Sequence, residues 1–354
     1  MSFVNYLHFY FSLVYYGADV DKFAYYMKKK GLATLGWGVV TEAGAEVWDA
    51  NPTLVGSTVR FGDRIKLLFY PKKLLLYRWI GASKKQENKK TKKQESEKLT
   101  PFRILDVGCG TGAAMIDMQK LFGPQVEIVG IDVVQLQIDL AKEKLARYHV
   151  SAKVAWYDGV HIPFPDAYFD AIYSSDVLGH VSEVSAWLAE VSRVVKPGGV
   201  LAMFSESALG SHAWIRRYLV RHGVNVDPHA PFHISLFPKA ELRQRVTQAG
   251  FAVSRMYAGI WPSFFLYPED GHGQLQSSKK FPILRVVNDL CFRLKKAGHP
   301  FTTAGVELYS LLEMVTLGRV IDSQGYVVLA RKPRRVVGAP IQTSGQKNNK
   351  TLEH

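Results

Sequence analysis

Apolar positions fall in short blocks separated by glycine, proline and charge. Phe102–Leu105 is an apolar run that meets Asp106-Val107-Gly108-Cys109-Gly110-Thr111-Gly112 and then Ala113-Ala114-Met115, which predicts strand, glycine turn and helix. Val126–Ile131 is a β-branched run ending at Asp132, and Ala152–Trp156 is a third strand-like block closed by Tyr157-Asp158-Gly159. Trp187, Leu188, Val191 and Val194 recur at helical spacing, and Val195-Lys196-Pro197-Gly198-Gly199 supplies the breakers for a reversal into Val200-Leu201.

Alternating glycines let the backbone turn sharply and approach a ligand with no Cβ in the way. The helix opening behind them aims free N–H groups and a positive dipole end at that ligand. Gly108-x-Gly110-x-x-Ala113 also satisfies the loose dinucleotide pattern, so on this loop alone nicotinamide and flavin cofactors stay open. Asp106, two residues before the first glycine, is placed to order the loop or approach an amino-acid moiety.

Asp106-x-Gly108-x-Gly110-x-Gly112 resembles the first motif of class I S-adenosylmethionine-dependent methyltransferases. Ile162-Pro163-Phe164-Pro165-Asp166 through Phe169-Asp170-Ala171-Ile172 is similar to the stretch before strand four in the ubiquinone and menaquinone biosynthesis type (methyltransferase type 11). The Lys196-Pro197-Gly198-Gly199 turn, the Phe232–Phe251 segment and the Tyr326–Lys332 strand resemble later parts of the same pattern. The resemblance implies an α/β Rossmann-like fold, doubly wound, with a mostly parallel seven-stranded sheet and one antiparallel strand. It also implies S-adenosylmethionine as cofactor and S-adenosylhomocysteine as product.

Carried over residue by residue, the cofactor set is Asp106, Gly108, Gly110, Gly112, Asp132, Val133, Asp158, Gly159 and Ser175. Asp132 is assigned to the ribose hydroxyls, and the Asp158 region to the adenine amino group. His180, after strand four, is the expected base if the acceptor is a phenol, hydroxyl or acidic carbon; Asp176 and His233 are its rivals. The quinone-type pattern often has a Glu-His pair here, whereas this chain has Gly179-His180. No His, Cys and carboxylate residues stand at metal-ligand spacing, so no metal is expected.

Composition then adds organisation. The 354 residues are 47% hydrophobic and 12% aromatic, enough for one large core with appended helices. Two cysteines give no disulfide framework, which with the lack of a secretory leader points to the cytoplasm. Of the net charge of +14, nine units come from Ala82–Thr100 and Arg331–His354. The expected division is a helical N-terminal extension over 1–81 acting as a substrate lid, with Gly31–Gly38 as a loop beside the transferred methyl, and a flexible basic linker over 82–100. A cofactor-binding core covers 101–259, a helical insertion 260–322, the last core strand 323–335, and a disordered tail 336–354 ending in a tag-like Leu352-Glu353-His354.

Ile65–Ile80 and Phe281–Lys296 interleave apolar, aromatic and basic side chains, a composition suited to peripheral contact with a membrane. The expected function is methyl transfer to a small hydrophobic metabolite such as a quinone, lipid or polyketide-like molecule. An RNA methyltransferase is the alternative that the basic balance permits, although no RNA-binding module is recognisable and nucleic acid is not the expected partner. A non-catalytic S-adenosylmethionine-binding protein is the third reading.

Overall fold

The computed structural model describes residues 50–56, 58–93, 101–224, 233–259 and 261–334. Residues 1–49 of the expected 1–81 lid, with its Gly31–Gly38 loop, and the tail 336–354 lie outside the described residues.

Seven strands form one sheet: β1 (Phe102–Val107), β2 (Val126–Asp132), β3 (Lys153–Trp156), β4 (Phe169–Ser175), β5 (Val195–Glu206), β6 (Ala252–Ala258) and β7 (Gly325–Arg331). Their order is β3-β2-β1-β4-β5-β7-β6. The first five pair in parallel, and β7 enters antiparallel between β5 and β6. Strand order reverses between β1 and β4, which opens a crevice at the carboxyl ends of the parallel strands.

Helices on both faces explain the near-continuous apolar strands. Leu105 and Val107 of β1 point into one cluster with Leu201 and Met203 of β5. Ile104 enters the opposite cluster with Val200 and Ala202. That is the two-residue alternation of a strand covered on both sides. The first cluster is closed by α5 (Val184–Val194) and α7 (Lys239–Gln248), where Trp187, Leu188, Val191, Leu242 and Val246 are all buried. The second is closed by α2 (Pro71–Lys93), α3 (Ala113–Phe122) and α4 (Gln135–Arg147). Before α2 lie α1 (Phe61–Lys66) and a 3₁₀ turn at Leu67–Phe69. After β5 comes α6 (Trp214–Arg221). Between β6 and β7 lie α8 (Ser263–Leu266), α9 (Glu269–Ser277), α10 (Pro282–Ala297) and α11 (Phe301–Val315).

Two expectations need correction around α2. Pro71 separates this helix from the elements before it and opens it, where its missing N–H is no loss. Leu75, Leu76, Tyr77, Trp79 and Ile80 are then buried, so the aromatics of this stretch pack on the sheet and are not free for a membrane interface. Trp79 packs against Tyr257 and Tyr77 against Tyr173, each pair with ring centroids 5.7 Å apart. Nor is the basic run wholly a linker, because residues 82–93 continue the same helix. Lys, Gln and Glu are good helix formers, and a polar run fits a solvated helix as well as a coil. Beyond Ser83, Gln86 accepts from Arg331 at 3.4 Å and Glu87 pairs with Arg334 at 3.8 Å.

The second candidate segment behaves differently. On α10, Ile283, Val286, Leu290 and Leu294 form one exposed stripe, with Ile283 77% accessible. No helix among the described residues is long and apolar enough to cross a membrane.

Candidate functional site

The glycine turn follows directly from β1. Gly108, Gly110 and Gly112 adopt φ of 73°, 52° and 82°, the left-handed region that residues with a Cβ avoid. The N–H groups of Gly108 and Cys109 donate to the Ile131 carbonyl at 2.8 and 3.0 Å, which ties the turn to β2. From the other side, the buried Lys144 of α4 donates to Thr111 Oγ1 at 2.8 Å and to the Ala50 carbonyl at 2.6 Å.

Two buried carboxylates flank this turn. Asp132 ends β2 and accepts the Gly110 N–H at 2.9 Å on one oxygen and the Val134 N–H at 2.9 Å on the other. Burial pushes its carboxyl up to about 6, against the pull of those N–H groups. Asp106 is pushed up to about 8 by burial and by the nearby Asp132 charge, with Lys73 acting in the opposite direction. Its Oδ2 is buried with no hydrogen-bond partner among the described residues. A site with an orphaned acid oxygen, a second acid and a glycine cradle fits a ligand that brings positive charge and hydroxyl donors.

The pH dependence follows from those directions. Asp106 ordinarily ionises near 3.8, so between that value and about 8 the unliganded fold retains a proton that the unfolded chain has lost. Its contribution to stability therefore declines as pH rises through that window. A cationic ligand needs the proton gone, so its affinity should rise from pH 6 to pH 8, by up to about tenfold per unit. Calorimetric titration at three pH values checks this; a flat profile would remove Asp106 from ligand contact.

Beyond the turn, one cavity of about 1090 Å³ runs along the carboxyl ends of the strands. Its wall includes Asp106, Gly108, Gly110, Asp132, Ser175, Asp176, His180 and His233 from the sequence-derived set. Asp176 follows β4 with φ of 60°, an uncommon backbone state for a residue with a Cβ, and 52% of its side chain is open to the cavity. Ser175 Oγ donates to it at 2.6 Å and Lys72 Nζ lies 3.6 Å away. Burial works to raise Asp176, but Lys72, Glu206 and Ser175 outweigh it and hold the carboxyl low. Its neighbour Glu206, the last residue of β5, is pushed well up by burial and then by the Asp176 charge.

His180 sits on a 3₁₀ turn (Leu178–His180) beside that pair. The Gly179 carbonyl accepts the N–H groups of Ile234 and Ser235 at 2.8 and 2.9 Å, which brings His233 to 4.9 Å from His180, centroid to centroid. A Cβ on Gly179 would stand 3.1 Å from Glu206 Oε2.

Not every expected residue reaches the cavity. Gly112, Val133, Asp158 and Gly159 are absent from its wall. Gly112 instead caps the start of α3. Asp158 is exposed; it accepts the Val160 and His161 N–H groups and pairs with His161 Nδ1 at 2.8 Å. It closes its own turn, so the adenine role assigned to it finds no support in its position. Conversely, Glu206, Lys72 and Lys73 line the cavity without having been singled out. A signal for Glu206 existed: an acid at the carboxyl end of a parallel strand. The expectation of no metal came from spacing along the chain, yet folding brings His180, Glu206 and His233 together with their ligand atoms within 4.8 Å of one another.

A family model described as a methyltransferase domain matches residues 105–203. The chain is 34% identical over 181 residues to a demethylmenaquinone methyltransferase of Deinococcus radiodurans, covering 46% of this chain and 75% of that protein. With a Staphylococcus aureus demethylmenaquinone methyltransferase it shares 35% identity over 105 residues, 30% of this chain and 43% of the other. A solved geranyl diphosphate methyltransferase in complex with S-adenosylmethionine superposes with a TM-score of 0.45 at 12% identity, over 78% of this chain and 93% of that one.

Proposed function

The chain belongs to the class I S-adenosylmethionine-dependent methyltransferases, and from that premise we propose that it methylates a small, largely apolar acceptor at an oxygen or an acidic carbon, with His180 activating the acceptor atom. When bound, S-adenosylmethionine supplies an electrophilic methyl group on a sulfonium. Asp132 and Asp106 are the residues that would hold its hydroxyl and cationic parts, and the Gly108–Gly112 turn would let its backbone approach.

The observation that carries the acceptor class is the apolar part of the same cavity wall, Phe69, Tyr70, Phe204, Leu236 and Met314, which stands beside charged side chains that include Lys72, Arg216 and Asp270. Those apolar residues favour an apolar body, while His180, His233 and Asp176 on the same wall supply polar chemistry. In-line displacement needs the acceptor atom held close to the methyl carbon, and a walled cavity supplies that restraint. The demethylmenaquinone methyltransferase relatives support a quinone-like acceptor. The exposed apolar stripe of α10 supports peripheral contact with a membrane, from which such an acceptor would be drawn.

Transfer of radiolabelled methyl into fractionated cell extract tests the reading. Label in the organic-solvent fraction is expected; label in RNA, or in no fraction, would overturn it. His180→Ala should leave cofactor affinity at the wild-type value and slow transfer by about 10²–10⁴-fold, the usual range for losing a proton-handling side chain. Unchanged single-turnover rates would end the role given to His180.

A further inference from the structure

Three elements that are distant in sequence converge on the cavity wall. His180 comes from the 3₁₀ turn after β4, Glu206 from the end of β5, and His233 from the segment preceding α7. Each offers one ligand atom, and those atoms lie within 4.8 Å of one another. Two imidazoles and one carboxylate form a donor set suited to divalent transition ions such as zinc or cobalt. Around such an ion, bonds of about 2.0–2.2 Å place ligand atoms about 3–3.5 Å apart, so side-chain rotation alone would close the set.

Two further observations favour a ligand. Glu206 Oε2 is buried with no hydrogen-bond partner among the described residues, a condition native interiors rarely leave uncompensated. The backbone also fixes the cluster: besides the Gly179 carbonyl bonds, Ser235 Oγ donates to the Val181 carbonyl at 2.5 Å. All three ligands line the cavity, so an ion there would keep open positions facing the acceptor, in the manner of a catalytic site and unlike a closed structural one.

We propose that His180, Glu206 and His233 form a three-ligand site for a divalent transition ion that holds an oxygen of the acceptor. The binding claim stands on geometry alone; the acceptor role rests on the methyltransferase reading above. A bound ion would take the His180 ring nitrogen as a ligand in place of the proton-accepting role given above, and would supply Lewis acidity that lets the acceptor oxygen release its proton to solvent.

Cobalt(II) alone is the probe, added to the full chain and followed by visible absorption and by metal content after desalting. One ion per chain with ligand-field bands is expected, and both should be lost in His180→Ala, Glu206→Gln and His233→Ala. Retained S-adenosylmethionine affinity certifies that each variant is folded; should one fail that check, the other two decide. Asp132→Ala should lose the cofactor and keep the cobalt, which separates the two claims. No stoichiometric uptake by the wild type, or bands that persist in folded Glu206→Gln and His180→Ala, would overturn the site.

Discussion

Asp132→Ala is expected to abolish measurable binding of S-adenosylmethionine. The carboxylate holds the Gly110 N–H on one oxygen and the Val134 N–H on the other, both at 2.9 Å. Alanine would leave both donors without an acceptor, at about 1–3 kcal/mol each, and would release the middle of the glycine turn from β2. The loss of a hydroxyl acceptor at the cavity wall adds to that. Together these predict affinity weaker by about two to four powers of ten. Asn is an instructive second variant: its amide keeps the shape but presents a donor to one of the two N–H groups, so it should also bind poorly. Calorimetric titration beside a thermal melt reads both effects. Wild-type affinity in the alanine variant would remove Asp132 from the cofactor site.

Gly108→Ala is expected to be nearly as damaging, by a different route. At φ of 73° a Cβ costs about 1–2 kcal/mol of backbone strain. That Cβ would also lie 2.2 Å from Val177 Cγ2, an overlap that forces the turn away from the residues following β4, at about 1–3 kcal/mol. Val177→Ala in the same chain should relieve the overlap and leave the strain. Urea unfolding of the single and double variants separates the two parts. If the second change restores nothing, the contact between turn and β4 end is not the source of the damage.

What the sequence made legible and what it hid divide along physical lines. The turn at Gly108–Gly112 was readable because its left-handed backbone demands glycine wherever it occurs. The parallel sheet was readable because strands covered on both faces become unbroken apolar runs. Asp158 shows what a sequence leaves out: an acid followed closely by free N–H groups bonds to its own turn, and nothing in its neighbours' identities says so. Trp79 and Tyr77 misled because basic and aromatic residues alternate both at a lipid surface and on a helix whose long stems reach outward from a packed face. Glu206 carried a signal as an acid closing an apolar strand, but the apolar residues before it say nothing of what lies across β4. The cluster of His180, Glu206 and His233 is a product of tertiary structure, and no spacing rule reaches over the 53 residues from first to last.

The missing side chain at Gly179 has a consequence for how this site can change over generations. Where the quinone-type pattern sets an acid immediately before its histidine, this chain has Gly179, and Glu206 Oε2 comes within 3.1 Å of where a Cβ would be. The carboxylate is delivered from the neighbouring strand. Positions 179 and 206 therefore form one heritable unit written in two separate codons. Placing an acid at 179 alone would drive it into Glu206 and crowd another charge beside Asp176; vacating 206 alone would leave the histidines with no carboxylate against them. An acid at 179 is therefore expected to be accommodated best when position 206 gives up its carboxylate in the same chain.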